Sequence, residues 1–110
     1  MRDNYGKSMG KQELKQKIRE VIEGSEFKGD IESVCLFGSY AYGVPREESD
    51  IDLLVEFVPS ARFGLFKYAG IQCYFEDALQ KKVDMVTPTA LSKYIRDEVI
   101  RLAEPVYGKK

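Results

Sequence analysis

A chain of 110 residues with 17 basic and 18 acidic side chains is long enough for one small core, and its net charge of −1 gives no general footprint for nucleic acid. Histidine is absent, which removes imidazole bases, His-based triads and His-rich zinc sites together. The apolar runs are strand-length and broken by charges, so none spans a bilayer, and the polar N-terminus is not expected to act as a secretory leader.

Residues 1–10 are polar and glycine-punctuated and read as a flexible N-terminus. From about Lys11, the apolar positions Leu14, Ile18, Val21 and Ile22 fall at helical spacing opposite a charged face, which predicts an amphipathic helix. Gly24 and the following SEFKGD predict a stop and a turn. IESVCLF, residues 31–37, reads as a buried strand, followed by a short helix or turn over about 39–44 that ends at Gly43 and Pro45. DIDLLVEF, residues 50–57, predicts a second strand closed by Pro59. Leu65, Phe66, Ala69, Ile71, Phe75, Ala78 and Leu79 return to helical spacing, and VDMVT, residues 83–87, is a third short strand. Thr87-Pro88 has the form of an N-cap followed by a first-turn proline, so a single last helix is expected to carry Leu91, Ile95, Val99 and Leu102 to about Ala103. The order α-β-α-β-α-β-α predicts one α/β (α+β) domain over residues 11–107, a small mixed sheet covered by helices. Cys35 and Cys73 lack C-x-x-C spacing and read as two reduced thiols of a cytoplasmic protein.

The chemistry concentrates in VCLFGSYAYGVPREESDIDLLVEF, residues 34–57. Gly38-Ser39 closes the first strand, where a missing side chain lets a phosphate approach and the Ser39 hydroxyl adds a donor. Taken alone, Gly-Ser after a strand is an ordinary turn. Asp50 and Asp52 open the second strand two residues apart and therefore on one face. They read as solvent-facing acids of an edge strand, or as ligands to a divalent ion. Ile51, Leu53, Leu54 and Val55 make the strand mostly buried, where an unpaired carboxylate is costly, and that favours the ion. Asp84 is the one acid of the third strand and reaches the same site if that strand lies beside the second. Lys81 and Lys82 before it read as a solvated helix end, or as cations for a triphosphate.

These residues resemble the minimal nucleotidyltransferases of the DNA polymerase β-like superfamily, over about residues 12–107. The shared motif is G-S-x10-D-x-D with a later strand Asp. The resemblance implies that Asp50, Asp52 and Asp84 are catalytic and bind magnesium, as two ions, with ATP as substrate. It further implies that Gly38 and Ser39 contact the phosphates. It also implies an antitoxin that adds AMP to a tyrosine of a HEPN-domain toxin; the lack of a basic excess counts against direct nucleic-acid binding. Family members commonly have Ala-Arg-Gly where this chain has Ala41-Tyr42-Gly43. The alternatives are an antitoxin of the same fold that neutralises by binding, and transfer to RNA or a small molecule.

Overall fold

The computed structural model describes residues 10–43, 49–61 and 64–108. The expected flexible N-terminus, apart from Gly10, lies outside these residues, as do Pro45 and the side chain of Tyr42. Helix α1 runs Lys11–Glu23, strand β1 Ile31–Phe37, the short helix α2 Ser39–Tyr42 and strand β2 Ile51–Phe57. Helix α3 follows at Leu65–Leu79, strand β3 at Val83–Val86, helix α4 at Lys93–Leu102 and strand β4 at Glu104–Gly108. The four strands form one mixed sheet in the order β3-β2-β1-β4. β1 is antiparallel to both β2 and β4, whereas β2 and β3 run parallel. This is the α+β sheet with helical cover that the sequence predicts.

Alternation along each strand divides the sheet into two faces. The inner face presents Val34 and Leu36 of β1, Ile51, Leu53 and Val55 of β2, and Val83 and Met85 of β3, all buried. Leu14, Ile18 and Ile22 of α1 recur every four residues and are 0% exposed, so one stripe of that helix closes on this face. Ile71, Phe75 and Leu79 of α3 repeat the same spacing and enter the same core. Full burial of side chains of this size is worth about 1.5–3 kcal/mol each, so the inner face carries most of the folding energy. The outer face holds Ser33, Cys35 and Phe37 opposite Glu56, Leu54 and Asp52.

Four sequence expectations are corrected. The expected single last helix is divided: a 3-10 turn spans Pro88–Ala90, Leu91 and Ser92 are extended, and α4 starts afresh at Lys93. The cause is a second N-cap, because the Ser92 hydroxyl accepts the Tyr94 N–H at 3.2 Å. A fourth strand, β4, follows the helix; it contains Pro105, which an edge strand tolerates. Leu65 and Phe66 do not join the core stripe of α3 but stand 82% and 95% exposed. The second strand also begins at Ile51, leaving Asp50 just ahead of it.

Candidate active site

Strand β1 ends against a glycine whose backbone only glycine adopts readily. Gly38 has φ 76 and ψ −153, and a methyl group built on it would fall on the Asp52 carboxylate. The missing side chain thus permits the turn and lets the carboxylate come against the backbone. α2 begins directly after it: the Ala41 N–H donates to the Gly38 carbonyl at 3.0 Å, and the Gly43 N–H donates to that of Ser39 at 3.1 Å. A helix this short has little macrodipole. Its contribution is local, through the half-buried Ser39 and the first-turn N–H groups that no helical carbonyl satisfies.

Strand pairing brings the acids together. Asp52 lies opposite Phe37 in the antiparallel pair β1–β2 and opposite Asp84 in the parallel pair β2–β3. Opposite residues share a face, so Asp52 and Asp84 both project from the outer face. Asp52 is half-buried and Asp84 exposed, with Asp50 exposed at the mouth of β2. Burial first, then the negative charges of Asp84 and Asp50, pushes the Asp52 carboxyl up to about 6 from 3.8. Among the described residues the ion pairs gather on Glu23, Asp30 and Glu104, and none of them relieves this trio. Three hard oxygen donors repelling one another beside a glycine cradle suit a hard divalent cation such as Mg²⁺. Among the described residues no three such groups are gathered tightly enough to form a ready-made cage, so the acids share a neighbourhood and not a closed coordination shell.

The neighbours of the site come from the α3–β3 junction. The Lys82 carbonyl accepts the Ile51 N–H at 2.9 Å and ties the start of β3 to the start of β2. Lys81 stands 6.0 Å from the ring of Tyr40 in α2, so it leans toward the glycine turn, while Lys82 is exposed. Tyr68 of α3 was not anticipated from sequence, because it reads as one more apolar position of a helix. Its hydroxyl donates to the Met85 carbonyl at 2.6 Å, and burial and then the Asp84 charge push its pKa up. Along the outer face, past Asp52, a groove of about 220 Å³ lies between Cys35 and Leu54 on the sheet and Pro88, Ile100 and Ala103 above it. At its far end the Ser33 hydroxyl donates to Glu56 at 3.2 Å.

Comparison with known proteins agrees with this layout. The family profile of the nucleotidyltransferase domain matches residues 16–104. Protein adenylyltransferase MntA of Thermococcus cleftensis is 37% identical over 79 residues, covering 70% of this chain and 74% of that protein. A solved structure assigned as a minimal nucleotidyltransferase is 33% identical with a TM-score of 0.72, covering 91% of this chain and 99% of that one. The complex of an MNT antitoxin with a tri-AMPylated HEPN toxin of Shewanella oneidensis shares the fold, at 20% identity and a TM-score of 0.62 over 90% of this chain and 73% of that one.

Proposed function

This chain belongs to the nucleotidyltransferase domain family and is a nucleotidyltransferase; from that premise we propose that it moves AMP from ATP to a tyrosine hydroxyl of a HEPN-domain toxin and so acts as its antitoxin. The observation that carries the reading is Asp52 set against the Gly38 turn, with Asp84 opposite it across β2 and β3 and Asp50 just ahead of β2. The adenylyltransferase name of a relative, and the AMP groups on the HEPN toxin bound to an antitoxin of the same fold, support AMP as the group moved and a protein as its acceptor.

The chain's own residues divide the work. Gly38 and Ser39 receive the β- and γ-phosphates, the glycine by leaving space and the serine by donating a hydrogen bond. Asp50, Asp52 and Asp84 would hold Mg²⁺, which when bound supplies neutralisation of the triphosphate and polarisation of the acceptor oxygen. Asp84 takes the acceptor proton, since no imidazole is available. The new bond joins the acceptor oxygen to the α-phosphorus, and the bond from that phosphorus to pyrophosphate breaks. In-line displacement sets the directions of approach and departure. Gly38 and Ser39 lie beyond the end of β1, so pyrophosphate leaves toward them and the acceptor arrives from the opposite side, along the outer face. The groove over Cys35 and Leu54 opens on that side. Tyr94 and Ile95, 86% and 50% exposed, give a partner protein apolar surface on α4, the helix whose Ile100 lines that groove.

Incubating the protein with ATP, Mg²⁺ and a HEPN ribonuclease, separating the two and weighing the toxin intact tests the proposal. Toxin heavier by whole AMP groups, still inactive after separation, is the expected result. Unmodified toxin that regains ribonuclease activity sinks it and leaves neutralisation by binding.

A further inference from the structure

Three polar side chains of α3 meet the free edge of β3. Tyr68, Gln72 and Glu76 follow one another at intervals of four, so they form one row along the helix. The Tyr68 hydroxyl donates to the Met85 carbonyl at 2.6 Å, and Gln72 Nε2 donates to the Val83 carbonyl at 2.9 Å. Glu76 Oε2 accepts the Val83 N–H at 3.0 Å. Val83 and Met85 flank Asp84, and β3 pairs with β2 along its other edge. The backbone on both sides of Asp84 is therefore held by α3.

We infer that Tyr68, Gln72 and Glu76 are positioning residues that clamp the outward edge of β3 to α3 and so hold Asp84 opposite Asp52. β3 has only four residues and sits at the edge of the sheet, so few ladder bonds set its register. Displacement or tilt of so short a strand would carry Asp84 away from Asp52. Two donors meet two carbonyls and one acceptor meets an N–H, so the outward edge of the strand is anchored at Val83 and Met85, on both sides of Asp84. Tyr68 also packs its ring edge-on to Phe57 with centroids 6.2 Å apart, which fixes the direction of its hydroxyl. An edge strand often carries polar cover merely to prevent association, and that simpler role makes different predictions.

The inference rests on the reading that Asp84 serves transfer, so Asp84→Asn is the reference variant. Each variant is compared with the wild type in transfer to the acceptor protein and in calorimetric titration of ATP with and without Mg²⁺. Tyr68→Phe and Gln72→Leu are expected to lower kcat about tenfold, with KM for ATP within about twofold, the usual scale for groups that orient a metal ligand. They should also weaken the Mg²⁺ dependence of ATP binding and speed hydrogen exchange at the Val83 amide. Glu76→Gln keeps an acceptor oxygen and should rescue nearly full transfer, whereas Gln72→Glu places an acceptor against a carbonyl and should not. If Gln72→Leu unfolds, Tyr68→Phe, which keeps its ring on Phe57, carries the test. Variants that lose melting temperature or associate, yet keep wild-type kcat and Mg²⁺ dependence when folded, overturn the inference and leave edge cover. Should Asp84→Asn itself change neither transfer nor Mg²⁺ dependence, the site assignment falls instead.

Discussion

The two faces of the sheet are built from the same strands by opposite rules. On the inner face Val34, Leu53 and Val55 are 0% exposed and belong to one apolar cluster with the stripes of α1 and α3. On the outer face the next residues along, Asp52 and Glu56, are half-buried acids, and Ser33 is a buried hydroxyl. One face stabilises the fold. The other holds like charges together at the expense of stability, which is the usual condition of a site that binds a charged ligand.

The largest effect should come from breaking the inner face. Phe75 is 0% exposed, and Phe75→Ala should cost about 4 kcal/mol, a large share of the stability of a domain this size. Urea unfolding would show it as a fall in midpoint at unchanged slope. Gly38→Ala strikes the seam between the faces. A side chain at φ 76 that also displaces the Asp52 carboxylate should destabilise by about 2 kcal/mol and abolish measurable transfer, as seen by thermal melting and AMP incorporation.

Asp52→Asn should act in the reverse sense on stability. The folded carboxyl is raised to about 6 from 3.8, so the folded state binds its proton more tightly than the unfolded state does. Its favourable contribution is complete below 3.8 and is lost as pH rises through about 6. At pH 7.5 without metal, Asp52→Asn should therefore raise stability by about 1 kcal/mol, or some 5 °C in Tm, after allowance for solvent screening. The gain over wild type should vanish near pH 4, and transfer should be lost at every pH. Scanning calorimetry of both proteins from pH 4 to 8 checks the sign. Away from both faces, Lys15 and Lys11 each lie 2.7 Å from Glu104, and their hydrogen bonds hold its carboxyl below 4.5. Lys15→Ala should change stability by less than about 1 kcal/mol and leave transfer untouched, with the small effect fading in high salt.

Most of the fold was legible because it is written in local periodicity. IESVCLF has the bounds of β1, and the stripe of α1 holds without change. α3 was legible as a helix but not in its facing, since Leu65, Phe66 and Tyr74 add exposed apolar positions on other sides. β4 was hidden by Pro105, which argues against a strand unless its edge position is known. Asp50, Asp52 and Gly38 were legible as a spaced motif, but Asp84 joined them only through a parallel register that no local pattern encodes. Tyr68 escaped altogether. Its role depends on a carbonyl in another element, and a helix position gives no notice of that.

The placement of β4 has a consequence for the order in which the molecule is made. Leu36 of β1 is paired with Glu104, far along the chain, while its other neighbour, Leu53 of β2, is close in sequence. During synthesis the β1–β2 hairpin can close early, with Gly38 and Asp52 already side by side, but one edge of β1 stays open until β4 emerges. Such a distant pairing forms slowly. Once there, β4 is fastened by Lys11 and Lys15 to Glu104 and by Arg19, which donates to the Val106 carbonyl at 3.3 Å. The chemical end of the sheet is thus assembled before the β1–β4 seam, and α1, made earlier in the chain, has its charged side chains waiting for β4.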